Sequence, residues 1–234
     1  MKFLGIIPAR GGSKGILRKN LAEVFGHPLI YHTIQAAKDS ELLTDFIVTS
    51  DSQEILDYCF LQNVELLRKR PDHLATDIAA TKDVVVDVLN FIKDIKGNYP
   101  ENIFMLQPTS PVRNGELLDN AIRMFEDLSL NSLVGVSPMT EHPFECVRDD
   151  GINWSFLEKP QQEMTRRQDY ADNFYFINGS VYICKTSWFL ENKKFVKEGE
   201  TKLFVMEKEY GVDVDERYDL FRAEAAFNYI KHKE

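Results

Sequence analysis

The chain has 234 residues, of which 44% are hydrophobic and 28% charged, and its formal net charge at pH 7 is −9. This length and apolar content suffice for one full hydrophobic core, so we expect a single domain over residues 1–234. The negative charge argues against nucleic-acid binding, because duplex phosphates require a basic stripe. No apolar stretch approaches the roughly 20 residues of a membrane span and no secretory signal pattern is visible, so we expect a cytoplasmic protein without a membrane partner.

Short apolar runs alternate with helical patterns along the chain. The predicted strands are residues 3–7, 46–49, 64–67, 103–106 and 133–136, and the predicted helices are residues 28–38, 77–95 and 115–128. In the second of these helices Val84, Val88 and Ile92 recur at helical spacing. Apolar strands that alternate with helices predict the α/β class, with a mostly parallel sheet covered by helices on both faces.

A loop rich in glycine and cations follows the first predicted strand. It reads Ile7-Pro8-Ala9-Arg10-Gly11-Gly12-Ser13-Lys14-Gly15 and is followed by Lys19-Asn20. Glycines let backbone amides approach phosphate oxygens, while Arg10, Lys14 and Lys19 supply positive charge and Ser13 a further donor. The spacing matches neither a P-loop nor the dinucleotide fingerprint. A solvated basic turn is the alternative, but the cluster directly after a buried strand favours binding of a triphosphate.

Two more polar segments begin where predicted strands end. Ser50-Asp51 follows the second strand, and residues 107–113 follow the fourth. Ligands of open α/β sheets bind at the carboxyl ends of the strands, so we expect these segments and the glycine-rich loop to share one site.

Two aspartates near the C-terminus form a candidate metal site. Asp213 and Asp215 flank Val214, and in extended backbone both carboxylates lie on one face while Val214 points into the core. Such a pair can hold Mg²⁺ with water in the other positions. Alternatively, Asp215 caps the C-terminal helix and Asp213 is a surface charge. The motif alone leaves both interpretations open.

The regular pattern breaks over residues 141–173, which we interpret as an inserted arm. Asp150-Gly151 is typical of a hairpin turn, and Trp154 and Phe156 could pack on another subunit if exposed. The alternative is a hairpin folded on the protein's own core.

The three cysteines show neither disulfide nor zinc spacing. Cys59, Cys146 and Cys184 are far apart in the chain and we expect reduced thiols, with Cys59 and Cys184 as packing residues.

The glycine-rich loop resembles the signature of the acylneuraminate cytidylyltransferases, the CMP-sialic acid synthetases. The similarity continues, in the family's order, through Arg70-Pro71, Gln107-Pro108-Thr109-Ser110-Pro111-Val112-Arg113, Arg166-Arg167-Gln168-Asp169, Asn178-Gly179-Ser180-Val181-Tyr182-Ile183 and Asp213-Val214-Asp215. It therefore covers nearly the whole chain.

The resemblance implies a Rossmann-like three-layer nucleotidyltransferase fold whose inserted arm crosses a homodimer interface. It implies that CTP and a nine-carbon 2-keto sugar acid of the sialic acid type react to give CMP-sugar and pyrophosphate, with Mg²⁺ on Asp213 and Asp215. The implied nucleotide contacts are Arg10, Gly11, Gly12, Ser13, Lys14, Lys19, Asn20, Arg70 and Thr81. The implied sugar contacts are Gln107, Arg167 and Asn178. Among all of these, Lys14, Arg10, Asp213 and Asp215 are the candidate catalytic residues.

Several alternatives stay open. Arg166 competes with Arg167 for the sugar carboxylate, and Asn178-Gly179 alone is more typical of a turn. The family's lysine shortly after the His142-Pro143 pair is absent, which leaves the identity of the sugar open and keeps a legionaminate or related diamino sugar acid as the alternative substrate. From different classes, a non-catalytic CTP-sensing protein needs no paired carboxylates, and a Rossmann oxidoreductase lacks its glycine fingerprint here.

Overall fold

The computed structural model describes residues 1–13, 15–76, 78–159 and 174–233. The strands are β1 (Phe3–Pro8), β2 (Glu23–Val24), β3 (His27–Pro28), β4 (Asp45–Ser50), β5 (Leu66–Lys69), β6 (Asn102–Met105), β7 (Ser132–Pro138), β8 (Val147–Asp149), β9 (Trp154–Phe156), β10 (Tyr175–Lys185) and β11 (Lys202–Val205). The helices are α1 (Leu29–Asp39), α2 (Gln53–Leu61), α3 (Thr81–Lys96), α4 (Gly115–Asp127), α5 (Thr186–Asn192) and α6 (Arg217–Lys233). Each of the five predicted strands and three predicted helices overlaps one of these elements.

A seven-stranded sheet in the order β11-β7-β10-β6-β1-β4-β5 forms the centre of the molecule. β1 pairs in parallel with β4 and β6, β4 with β5, and β7 with β11. β10 alone runs antiparallel to its neighbours β6 and β7. The predicted mostly parallel sheet is confirmed.

Both faces of the sheet are covered, because successive side chains of a strand point to opposite sides. Along β1, Phe3 and Ile7 belong to one buried cluster with residues of α1, α2 and α4. The intervening Leu4 and Ile6 belong to a second cluster with residues of α3 and α5. The molecule therefore has three layers, as predicted for the α/β class.

A third apolar cluster brings the glycine-rich loop to the C-terminal segment. Ile16, Val214 and Ala223 of α6 are all buried in it. Val214 is fully buried, as the extended pattern around it predicts. This packing fixes the position of the two flanking aspartates relative to the loop.

The Asn178-Gly179 pair lies inside β10 and does not end it, so the turn interpretation is wrong. The pairing register of β10 against β7 shifts between Ile177 and Tyr182, and Gly179 has φ +80°. A backbone with positive φ suits glycine, which makes this a bulge in a continuing strand. The bulge turns residues 178–181 toward the carboxyl end of β6.

The described part of the predicted arm is an antiparallel hairpin of β8 and β9. At its tip the carboxylate of Asp150 accepts hydrogen bonds from the amides of Ile152 and Asn153, and Gly151 has φ +87°. Residues 160–173 of the arm lie outside the described residues.

None of the helices in the described ranges combines the length and hydropathy needed to cross a bilayer.

Candidate active site

A cavity of about 290 Å³ lies at the carboxyl ends of β1 and β6. It is lined by Pro8, Arg10, Ser13, Lys19, Asn20, Arg70, Leu74, Thr76, Ala79, Thr81, Val84, Gln107, Pro108 and Thr109. Six of the predicted nucleotide contacts are in this set. A larger cavity of about 640 Å³ lies at the opposite end of the sheet, near Lys2 and Asn102, and contains none of the predicted site residues. We therefore place the site at the smaller cavity, where the motifs converge.

The glycine-rich loop is held in shape by its own polar groups. The amide of Gly11 donates to Oδ1 of Asp51 at 2.9 Å, and Nδ2 of Asn20 donates to the carbonyl of Arg10 at 2.8 Å. Oγ of Ser13 donates to the carbonyl of Ile16 and accepts from the amide of Lys19. Ser13 and Asn20 thus shape the loop, and their direct contact with a nucleotide stays a prediction. Lys14 lies outside the described residues.

Gly12 and Gly11 differ in their surroundings. A Cβ on Gly11 would lie 2.8 Å from Cβ of Ser52, whereas a Cβ on Gly12 would meet none of the residues that the structure describes within 4 Å. Gly11 is required by the close approach of the segment after β4. The open space at Gly12 leaves its backbone accessible to a ligand.

Asp213 and Asp215, together called the acid pair, lie next to the glycine-rich loop. Nζ of Lys19 lies 2.9 Å from Oδ1 of Asp215, and a Cβ on Gly15 would lie 2.4 Å from the carbonyl oxygen of Asp215. The amide of Val214 donates to the carbonyl of Thr109 at 2.7 Å, and the Thr109 side chain acts to lower the pKa of Asp213. Both aspartates are therefore joined to loops that line the first cavity.

Asp213 and Asp215 themselves line a second cavity of about 390 Å³. Its other lining residues are Ser137, Pro138, Met139, Thr140, Glu141, Phe176, Lys208, Gly211, Asp219 and Arg222. Because Thr109 and Lys19 line the first cavity, the acid pair forms the boundary between the two. This arrangement suits a reaction between two ligands that meet at the carboxylates.

Asp215 does not cap the C-terminal helix. α6 begins at Arg217, and the carboxylate of Asp219 in its first turn accepts the amides of Asp215 and Glu216, which precede the helix, at 3.0 and 2.9 Å. The carboxylate of Asp215 is instead paired with Lys19. The capping interpretation of Asp215 is therefore wrong, because Glu216 stands between Asp215 and the first residue of α6.

The electrostatics of Asp213 fit a cation. Burial raises the pKa of Asp213, and the negative charges of Asp215 and Asp219 raise it further, against the opposing effects of Thr109 and Lys19. Its Oδ1 atom is buried without a hydrogen-bond partner among the described residues. Within the described ranges no group of three or more His, Cys, Asp or Glu side chains is arranged to hold a metal. A divalent ion on this pair would therefore complete its oxygen shell from phosphate and water.

Arg70 and Thr81 also line the first cavity. Arg70 is 5% exposed, and its Nη2 donates to the carbonyl of Thr49 at 3.0 Å. Burial lowers the pKa of Arg70, and the carboxylate of Asp51 opposes this effect. Thr81 is the first residue of α3. Their predicted contact with cytidine is compatible with these positions and stays a prediction.

Two predicted sugar contacts are neighbours. A Cβ on Gly179 would lie 3.1 Å from Oε1 of Gln107, so the bulge of β10 places Asn178 beside Gln107. Asn178 is 1% exposed, and its Nδ2 has no hydrogen-bond partner among the described residues. A Cβ on Gly211, which lines the second cavity, would lie 2.8 Å from that Nδ2. The third predicted sugar contact, Arg167, and its rival Arg166 lie outside the described residues.

The fold defines the class of the protein. The structure of a CMP:2-keto-3-deoxy-manno-octonic acid synthetase complexed with CTP superposes with a TM-score of 0.69 at 14% identity, covering 100% of both chains. The 4-diphosphocytidyl-2C-methyl-D-erythritol synthase of Anaerococcus prevotii gives a TM-score of 0.65 at 13% identity, covering 98% of both. At these identities the likeness establishes the fold alone, a Rossmann-like α/β fold.

The sequence defines the family. The family model described as "Cytidylyltransferase" matches residues 4–226, and the chain belongs to this family. It is 32% identical to an N-acylneuraminate cytidylyltransferase of Streptococcus agalactiae serotype V, over 100% of this chain and 56% of that protein. It is also 32% identical to the CMP-N,N'-diacetyllegionaminic acid synthase of Legionella pneumophila, over 94% of this chain and 93% of that protein. The chain thus spans little more than half the length of the streptococcal relative and nearly all of the Legionella one.

Proposed function

We propose that this protein activates a nine-carbon 2-keto sugar acid of the sialic acid type with CTP, giving CMP-sugar and pyrophosphate. The observation that carries the proposal is the position of Asp213 and Asp215 between two cavities, with Asp215 bonded to Lys19 of the glycine-rich loop. Membership of the cytidylyltransferase family and relatives named for sialic and legionaminic acid activation support the same reaction.

In this reaction the anomeric hydroxyl oxygen of the sugar bonds to the α-phosphorus of CTP. The bond from that phosphorus to the bridging oxygen of the β-phosphate breaks, pyrophosphate leaves with the electron pair, and the hydroxyl proton is released. Such a transfer needs positioning and charge stabilisation more than covalent help. Arg10, Lys14 and Lys19 neutralise the triphosphate, and the exposed Gly12 can offer its backbone amide as a further donor. No covalent enzyme intermediate is required.

Asp213 and Asp215 are the residues that would hold Mg²⁺. The buried, unpartnered Oδ1 of Asp213 beside a second carboxylate is the kind of oxygen donor set that a hard divalent cation prefers. When bound, the ion would supply a positive charge that stabilises phosphate oxygens and favours the ionised form of a nearby hydroxyl. Without the ion, the ammonium group of Lys19 neutralises the Asp215 carboxylate directly.

We propose that the sugar acid binds in the second cavity, whose lining residue Gly211 packs against Asn178, and reaches Gln107 in the wall of the first cavity. Arg167, or its neighbour Arg166, is proposed to grip the sugar carboxylate, because a guanidinium binds a carboxylate through two hydrogen bonds. A legionaminate-type diamino sugar acid is the second candidate. It is favoured by the lysine missing after His142-Pro143 and by the similarity to the Legionella synthase over nearly the full length of both chains.

We further propose that the enzyme is a cytoplasmic homodimer in which the inserted arm contacts the partner. In the β8–β9 hairpin, Trp154 is 62% exposed and Phe156 44% exposed, and the two rings pack edge to face at 5.3 Å. Exposed aromatic side chains of this size are enriched at protein interfaces.

A pyrophosphate-release assay tests the proposal. The protein is incubated with Mg²⁺ and either CTP or UTP over a panel of nonulosonic acids, including N-acetylneuraminic, diacetyllegionaminic and pseudaminic acid. We expect release with CTP and at least one acid, and the best acid identifies the substrate. Binding of CTP without pyrophosphate release from any acid would favour a CTP-sensing protein and contradict the proposal.

A further inference from the structure

One buried arginine lies behind the site without lining it. Arg113 follows the loop after β6, is 3% exposed, and is absent from the walls of both cavities. A buried guanidinium is costly unless it is hydrogen-bonded. Its hydrogen bonds therefore indicate what the charge is used for.

Arg113 donates to three separate elements. Its Nη1 donates to the carbonyl of Ser180 in the bulge of β10 at 2.9 Å. Its Nη2 donates to the carbonyl of Gln107 and to Oγ1 of Thr33 in α1, the latter at 3.0 Å. Two of the three acceptors are thus backbone atoms of the segments that carry Gln107 and Asn178.

Ser180 extends this network to the second cavity. Its amide donates to Oδ1 of Asn178 at 3.1 Å, which orients the Asn178 side chain. Its hydroxyl donates to the carbonyl of Tyr210 at 2.7 Å, next to Gly211 in the wall of the second cavity. Through Ser180, the contacts of Arg113 reach Asn178 and the segment that leads to Asp213.

We propose that Arg113 is a positioning residue for binding of the sugar acid, because one guanidinium joins the backbone of Gln107 to the bulge that orients Asn178. The inference rests on the proposed function in so far as Gln107 and Asn178 face the sugar acid. Arg113 touches neither cavity, so it acts through these two residues. Gln107 also lines the first cavity, but Arg10, Lys19 and Arg70 are not among the hydrogen-bond partners of Arg113, so we expect a smaller effect on CTP than on the sugar acid.

Lysine cannot replace this arginine, since a single ammonium nitrogen does not span acceptors on three elements as the planar fork does. R113K should raise the KM for the sugar acid about ten- to a hundredfold, because small displacements of positioning groups cost this much, and should change the KM for CTP far less. R113Q keeps an amide donor but no charge, and its KM for the sugar acid should likewise rise much more than its KM for CTP. Equal changes in both KM values, or full activity of R113K, would overturn the proposal.

T33V is the matched control. It removes the third hydrogen bond of the same guanidinium, to α1, and leaves both carbonyl contacts in place. It should lower the melting temperature with no change in the KM for the sugar acid. A rise in that KM in T33V equal to the rise in R113K would show that any disturbance of Arg113 has the same effect, against a specific positioning role.

Hydrogen exchange measured by mass spectrometry separates this inference from the proposed function. In R113K or R113Q, exchange should accelerate over residues 107–110 and 178–181 and stay slow in β1 and α3. If neither variant folds, the same measurement is made on the wild type alone. Residues 107–110 and 178–181 should then exchange as slowly as β1. Faster exchange of these residues than of β1 would overturn the proposal. Absence of pyrophosphate release by the wild type contradicts the proposed function but leaves this readout intact.

Discussion

Lys19 Nζ and Asp215 Oδ1 lie 2.9 Å apart although 196 positions separate the two residues in the chain. The pair joins the glycine-rich loop at the end of β1 to the segment before α6. Asp215 is largely exposed, and ion pairs of this kind contribute less than about 1 kcal/mol to stability. The pair is therefore more important for the charge of the site than for holding the fold.

Replacing Asp215 should separate activity from stability. D215A removes half of the acid pair, so we expect CTP turnover to fall at least about a thousandfold, since charge stabilisation at a metal contributes several kcal/mol. The melting temperature should stay near that of the wild type. Steady-state kinetics over a range of Mg²⁺ concentrations and thermal unfolding check both expectations.

The exposed neighbour Glu216 provides the matched control for this variant. E216A removes an adjacent carboxylate that lines neither cavity, and should keep its activity. Chelation of divalent ions should silence the wild type reversibly, while added Mg²⁺ should not rescue D215A. Wild-type turnover in D215A would remove the metal assignment.

The close approach at Gly15 predicts a difference between two glycines of one loop. G15A would place a methyl group 2.4 Å from the Asp215 carbonyl oxygen, a backbone atom that cannot move aside. We expect a loss of about 1–3 kcal/mol in the free energy of unfolding, as for other overpacked sites. G12A meets no atom of the described residues within 4 Å and should stay within about 0.5 kcal/mol of the wild type. Urea titration of both variants measures this, and equal stability of the two would contradict the packing described for Gly15.

The cysteines should differ in reactivity. Burial raises the pKa of Cys59 to about 12 and raises that of Cys184 as well, whereas Cys146 is half-buried. At pH 8 a thiol with a pKa of 12 is ionised to only about one part in 10⁴, and the thiolate is the reactive form. Iodoacetamide should therefore modify the native protein once, at Cys146, and the unfolded protein three times. Mass spectrometry that finds Cys59 or Cys184 modified as fast as Cys146 would contradict their buried positions.

The hairpin aromatics test the proposed dimer. W154D puts a charge on the exposed tip of the β8–β9 hairpin, and we expect it to shift the protein from dimer to monomer without unfolding it. Tyr218 is 72% exposed on α6, outside the hairpin, so Y218D should leave the oligomeric state unchanged. Light scattering coupled to gel filtration reports the masses. A wild type that is monomeric at high concentration would remove the dimer from the proposal.

The sequence predicts the elements whose pattern is local. β1 and α3 follow from their apolar spacing, and Val214 is buried because alternation in an extended segment fixes which side points inward. The ends of the predicted strands locate the glycine-rich loop and Gln107 correctly, because the carboxyl ends of parallel strands meet at one edge of the sheet.

Features that depend on distant partners are not predictable in this way. Asn178-Gly179 is typical of a turn, and only the shifted register against β7 makes it a bulge inside β10. The pairing of the Asp215 carboxylate with Lys19 is not predictable locally, because Lys19 lies far away in the sequence. Arg113 has no local pattern that separates it from a surface arginine, since its three acceptors come from three different elements.

The most direct test of the proposed reaction follows the sugar oxygen. The preferred sugar acid, labelled with ¹⁸O at its anomeric hydroxyl, is incubated with CTP, Mg²⁺ and the protein, and the product is analysed by ³¹P NMR and mass spectrometry. Attack of that hydroxyl on the α-phosphorus predicts CMP-sugar with ¹⁸O in the bridge between carbon and phosphorus, and unlabelled pyrophosphate. No CMP ester with any acid, or an ester whose bridging oxygen is unlabelled, would contradict the account.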